Sequence, residues 1–326
     1  MKTKLLAVVL CFCMIVGTTG CGGTSVEDTE VGSERAASVD NGTLSEDSVT
    51  LSVGKTTVPY REYKVYYYFM KNQYEDVLTS DIWSYTDTAE GSKSIGQEAI
   101  EDVLRLIIQV KVICKAASAQ GVKLEADEKE QANYNASTFC ESLSEEVKQE
   151  NGINPALMTQ IFEENKLAEK MYNIVIGKVD LNISEEQSQA ARVQLLYLKA
   201  NADNKEQVKQ KMDKLYQQAK SSGGSFYTLA KANTQAEEIE YVIGRLDSRT
   251  NLVNAVMGLK KYDVSNVIEE GDGYYLACCL QPSNKTVNDE YKNQVVEQRQ
   301  TSAFQGAYQE WSEQYEVKVS KSLLVE

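Results

Sequence analysis

The feature that most constrains the fold is a change of hydrophobic period near Ser184. Before it, apolar residues recur at three- and four-residue spacing over long stretches; after it, short alternating runs take turns with short helical segments. One core must therefore be built by helices and another by a small sheet with helices packed on it, which is an α+β arrangement. The boundary itself carries a capping-box candidate, Ser184 with Gln187.

Ahead of the boundary, VTLSVGKTTV over Val49 to Val58 alternates apolar and polar residues around Gly54-Lys55, the pattern of two short strands and a tight turn. A helix is predicted from Tyr60, with Tyr63, Tyr67, Met70, Tyr74 and Val77 along one face. That aromatic face reads as core, with a peptide-binding stripe as the other reading. Ser94 and Gln97 fit a capping box before the apolar helix Ala99 to Ala119, which Gly121 ends. Further helices are predicted from Ala126 to about Gln149 and from Asn154-Pro155, cap and first helical residue, through Met171.

Beyond the boundary, Arg192 to Lys199 reads as a strand and Asn204 to Lys220 as a helix closed by Ser221 to Gly224. A short helix follows over Ser225 to about Ala232, then a strand at Glu240 to Ile243, a helix at Thr250 to Leu259 and a strand at Asn266 to Glu269. Gly271-Asp272-Gly273 is a hairpin turn into Tyr274 to Leu280. The module is β-α-α-β-α-β-β. A last helix from about Asn288 to Gln314 carries Val295, Phe304, Tyr308 and Trp311, and a strand-like Tyr315 to Val319 follows.

The N-terminus reads as an address. Lys2 and Lys4 precede an apolar run, Leu5 to Val16, that is short for a membrane span; small residues 17–20 then lead to Cys21. This is the order of a lipoprotein signal: cleavage after Gly20, lipid attachment on Cys21 and an extracytoplasmic chain anchored to the cell membrane. Residues 21–47 hold few apolar residues and no aromatics, so they read as a disordered tether.

Composition narrows the chemistry. The chain has no histidine, which excludes histidine triads, zincin sites and histidine general bases. A formal net charge of −14 argues against nucleic acid and favours solubility or basic partners. No CxxC or other metal spacing occurs, so neither metal nor cofactor is expected. Consecutive Cys278 and Cys279 on a strand face opposite sides and read as buried thiols. For Cys114 and Cys140 a disulfide and two separate buried thiols are both open. The carboxylates of Glu237, Glu238 and Glu240 read as a charged surface loop, with acid–base work the other option.

Several strings, in their order, resemble SurA/PrsA-type foldases, in which a helical chaperone domain accompanies a parvulin (PpiC-type) peptidyl-prolyl isomerase module. They are the opening hairpin and helix Val53 to Tyr63, ARVQLLYLK over Ala191 to Lys199, GSFYTLA over Gly224 to Ala230, Leu259 to Ile268 with Val264-Ser265, and Gly273 to Leu276. The stretch from Ala303-Phe304 to Trp311, with Val317 to Val319 after it, resembles the returning helix and strand of those foldases. The resemblance implies a helical chaperone domain at 48–184, a parvulin-like module at 185–283, and a C-terminal helix and strand at 284–326 that return to the chaperone domain.

The departures concern the active site. Parvulins carry histidines in the first and last strands, and the corresponding positions here are Leu195 and Tyr275. Their acidic or cysteine-bearing turn is replaced by QAEEIE over Gln235 to Glu240, of which Gly244-Arg245 downstream is retained. Of the apolar prolyl-pocket positions, Leu252 is kept and another is the polar Ser248. Leu195, Tyr197, Leu252, Met257 and Tyr275 are then the candidate peptide- or prolyl-binding residues; for Tyr197 and Tyr275, hydroxyl donors and ordinary strand tyrosines are both open.

The function so implied is a membrane-anchored extracytoplasmic foldase that binds unfolded or newly exported polypeptides, with weak or absent isomerase activity. A competent isomerase with an altered site is the alternative. A solute-binding lipoprotein would share the anchor and length, but it needs many strands, and the first half of this chain offers hardly any.

Overall fold

The computed structural model describes residues 44–84, 94–221, 225–320 and 323. The signal peptide, Cys21, most of the expected tether and Ser222 to Gly224 lie outside them. The turn over residues 44–48 is seated on the helix that follows: the Arg61 N–H donates to the Glu46 carbonyl at 3.0 Å and Lys64 pairs with the Glu46 carboxylate at 3.0 Å.

The chain forms two compact units, one running to Val179 and resuming at Thr301, the other Asp180–Gln300. The fold is α+β, with two antiparallel sheets.

In the first unit, β1 (Val49–Val53) and β2 (Thr56–Pro59) form a hairpin whose turn places Gly54 at φ +55, a conformation that suits glycine. Helix α1 (Tyr60–Leu78) leads to a 3-10 turn at Ser80–Ser84. The centre of the unit is α2 (Ile95–Ala119), buried on nearly all sides and started by the expected Ser94–Gln97 capping box. Helices α3 (Ala126–Glu141), α4 (Glu145–Glu150) and α5 (Pro155–Ile176) follow.

The helix predicted from Ala126 to Gln149 is broken, because the Ser142 hydroxyl bonds back to the Phe139 carbonyl and Ser144 caps a new helix through the Val147 N–H. The stripe of α1 is also turned from the predicted line. Val65, Tyr66 and Phe69 lie deepest with Tyr63 and Met70, while Tyr67 and Tyr74 are half-buried and Val77 is 74% exposed. Apolar residues on two adjoining faces compete for the core, and packing against α2 selects between them.

In the second unit, β3 (Ala190–Lys199) is followed by α6 (Lys205–Ser221), α7 (Phe226–Asn233), β4 (Glu240–Gly244), α8 (Thr250–Met257), β5 (Ile268–Glu270) and β6 (Gly273–Gln281). The sheet order is β4-β3-β6-β5. Side-chain alternation divides β3 between two cores: Ala191, Val193 and Leu195 pack with α8, and Leu196 and Leu198 pack with α6 and α7.

The last helix, α9 (Lys285–Ser312), serves both units. Val287, Tyr291 and Val295, at helical spacing, pack with Ile183 and Ala190. A Cβ on Gly244 would meet the Tyr291 ring at 2.3 Å, so the bare glycine makes room for this helix. Further along, Phe304 and Trp311 enter the helical core, and β7 (Val317–Val319) pairs with β1 to complete the order β2-β1-β7. Cys114, Cys140, Cys278 and Cys279 are free thiols, and burial pushes the Cys114 thiol up to about 12.

Candidate functional site

Strands β3 and β6 bring the sequence-derived candidates together. Their register sets Leu195 opposite Ala277 and Tyr197 opposite Tyr275, all on the side of the sheet that α8 covers. Leu195 and Leu252 meet there with Val193, Ile243 and Val256, and Met257 and Tyr275 pack against the same cluster. Leu195 is 1% exposed and Leu252 is fully buried, so these two form a sealed floor, whereas Met257, Tyr275 and Tyr197 reach the surface in part. Ser248 is exposed.

At the open end of this face the rings of Tyr197 and Tyr275 lie 4.7 Å apart at 31°. The Tyr197 hydroxyl donates to Asp272 Oδ1 at 2.6 Å. Burial first, then this carboxylate, holds the Tyr197 hydroxyl well above the usual phenol range; the same hydrogen bond leads in lowering the Asp272 carboxyl. A Cβ at residue 273 would sit 2.5 Å from the Tyr197 ring and 2.4 Å from the Leu198 carbonyl, so Gly273 is what lets the ring lie across the hairpin.

A second polar group enters from the start of α8. Arg249 donates to Asp247 through Nε (2.9 Å) and Nη2 (2.7 Å), a two-pronged pair. That bond leads in raising the Arg249 pKa, and Asp247 is lowered although burial opposes it. The guanidinium also lies beside Tyr275, where its charge works against the burial that raises the phenol. Helix α8 is held from β5: Glu270 Oε2 accepts the N–H groups of Asn251 (2.6 Å) and Leu252 (3.3 Å), and the Asn251 side chain donates to the Glu269 carbonyl at 3.0 Å.

Asp247, Arg249, Glu270 and Asp272 were not among the sequence candidates. Asp272 stood in a recognised hairpin turn and Asp247 two residues before an arginine at a helix start, but only the strand register brings them to Tyr197 and Tyr275.

What prolyl isomerisation demands is limited. The barrier, about 18–20 kcal/mol, comes from amide resonance, so a catalyst must hold the ring and stabilise a twisted imide. Preorganised donors are the usual means. This face offers tyrosine hydroxyls, neutral near pH 7, and one arginine over an apolar floor.

Residues 193–279, which span this sheet, match the Rotamase family, the PPIC-type PPIASE domain, so this part of the chain is a parvulin-like module. Among solved structures, foldase protein PrsA from Streptococcus pneumoniae aligns over 70% of this chain and 92% of its own at 18% identity, with a TM-score of 0.27. Peptidylprolyl isomerase PrsA from Bacillus anthracis aligns over 63% and 96% at 12% identity (TM-score 0.34). A SurA-like chaperone of Campylobacter jejuni aligns over 84% and 99% at 12% identity (TM-score 0.31). No curated protein sequence matches the chain. Among the described residues no helix is long and apolar enough to cross a membrane, and no cluster of metal-ligating side chains occurs.

Proposed function

We propose that the protein is an extracytoplasmic foldase, anchored by lipid on Cys21, that binds unfolded exported polypeptides and has weak or no prolyl isomerase activity. The observation that carries this reading is the site itself. A PPIC-type domain is present, yet the face that would be catalytic has Leu195 sealed in the core and the Tyr275 ring tilted against that of Tyr197, in a chain without histidine. The fold is kept while the imidazole network that would favour the twisted imide is gone. The signal pattern over residues 1–20 and the tether over 21–47, both read from the sequence, support the location.

One observation favours the alternative of a competent isomerase with a remodelled site. Arg249 lies beside the partly exposed Tyr275, an arrangement able to polarise a hydroxyl donor at the edge of the apolar floor.

The test uses the mature chain in two assays, the cis–trans rate of X-Pro peptides and suppression of aggregation of an unfolded client. Suppression with unchanged rates is the expected result. Acceleration that disappears in both Tyr275→Phe and Arg249→Leu would establish the alternative, and absence of both effects would sink the foldase reading.

A further inference from the structure

The side of the sheet away from α8 carries a feature that the prolyl face does not use. A groove of about 660 Å³ opens between α7 and the segment leading into β4. Tyr227 and Lys231 form one wall; Glu237, Glu238, Ile239 and Glu240 form the other. Tyr227 is 41% exposed, and all three carboxylate residues are exposed. Three acids against one lysine leave the groove negative. Glu240 is fixed in place by the Gln194 amide, which donates to its Oε1 at 3.0 Å.

The groove runs into an unpaired strand edge. Among the described residues, β4 is the outer strand of its sheet and pairs with β3 alone. In an antiparallel ladder alternate residues turn their N–H and C=O away from the partner. Because the Leu195 N–H donates to the Ile239 carbonyl, it is Glu240 and Val242 that present theirs outward. An extended chain laid there would gain backbone hydrogen bonds, and its side chains would fall alternately toward the groove.

We propose that the groove and the β4 edge together hold an extended basic segment of unfolded polypeptide, added to the sheet as a further strand. This rests on the foldase reading and gives its client a chemistry. Lysine or arginine side chains meet Glu237, Glu238 and Glu240, an apolar or aromatic residue covers Tyr227, and the backbone pairs with β4. The charge of the chain selects this occupant over a second copy of itself: at a net −14, two copies repel where a basic segment is attracted.

The experiment measures fluorescence anisotropy of a labelled extended peptide, lysines interspersed among apolar residues, with the whole mature chain. Its comparison peptides carry glutamate in place of lysine, or N-methyl groups on alternate backbone nitrogens. The lysine peptide is expected to bind, more weakly as salt rises, and the other two to bind poorly. Combining Glu237→Gln, Glu238→Gln and Glu240→Gln should weaken it about tenfold while leaving the thermal midpoint unchanged, since three exposed ion pairs each contribute a small amount. Tyr227→Ala, on the opposite wall, should weaken it with the acids intact.

Equal binding of the lysine and glutamate peptides, or an unaltered affinity in the triple variant, would overturn the proposal. So would a dimer that the triple variant abolishes. Aggregation suppression that persists while no peptide binds at β4 rejects this site and spares the foldase reading; loss of both rejects the reading itself.

Discussion

Tyr197 and Tyr275 stand directly opposite one another on β3 and β6 with ring centroids 4.7 Å apart, and the Tyr197 hydroxyl is tied to Asp272 while Tyr275 lies beside Arg249. The pair closes the end of the apolar floor. Aromatic pairs contribute about 0.5–1.5 kcal/mol beyond their burial, so a double-mutant cycle on Tyr197→Ala and Tyr275→Ala should return a coupling in that range. Tyr197→Phe keeps the ring and loses the Asp272 bond, and its cost should stay near the lower end of about 0.5–1.5 kcal/mol because the site is open to water. Urea unfolding measures each. A coupling near zero would mean that the rings merely lie close.

The position of Leu252 depends on a residue far from it in sequence. Arg249 precedes α8 without giving a side-chain cap, and Glu270 of β5 accepts the Asn251 and Leu252 N–H groups in its place. Glu270→Ala should cost about 0.5–2 kcal/mol, the usual range for losing an N-cap. Glu270→Gln, which keeps an acceptor oxygen and loses the charge that favours a helix N-terminus, should cost less. Denaturation of the two variants gives the comparison, and equal losses would show that charge rather than the acceptor holds the helix.

The sequence made the sheet module legible because its apolar, β-branched and aromatic strand runs are bounded by turn residues and capped helices. Leu195 and Leu196 turn to opposite cores as period two requires. The same local rules placed the Ser94 capping box and the Asn154-Pro155 start. They failed at Ser142 to Ser144, where two serines bond to the backbone and split a helix that periodicity alone would continue. They also missed the face that α1 buries, since Tyr66 and Tyr67 are equally aromatic and only the neighbour α2 distinguishes them. At the site, Leu195, Leu252, Met257 and Tyr275 share one face of the sheet. The polar partners Arg249, Asp247 and Asp272 depend on contacts between segments that no local pattern encodes. Nor does the strand pattern reveal that Leu195 and Leu252 are sealed from a client.

The same limit hid a charged group in the helical core. Lys111 of α2 is 3% exposed and Glu62 of α1 is 1% exposed; the ammonium lies 2.7 Å from Glu62 Oε1 and 2.6 Å from Glu164 Oε2 of α5. Burial raises the Glu62 carboxyl above its ordinary value of 4.5, although Lys111 opposes this. The folded chain therefore keeps a proton on Glu62 at pH values where the unfolded chain has lost it, so this group's contribution to stability falls as pH rises from 4.5 through the raised folded value. Lys111 is raised as well, by the two carboxylates against burial, so its contribution holds below 10.5 and is lost at higher pH. Removing the cation and removing one acid should then differ. Lys111→Met leaves two carboxylates near the core without a counter-charge and should cost about 3–5 kcal/mol at neutral pH. That deficit should shrink at about pH 5, where Glu62 can neutralise itself. Glu62→Gln leaves the Lys111–Glu164 pair intact and should be neutral or stabilising at neutral pH. It should also flatten the mildly acidic part of the stability profile. Urea denaturation of the three proteins at the two pH values decides it: a Lys111→Met deficit that does not change with pH would mean that Glu62 stays ionised in the core.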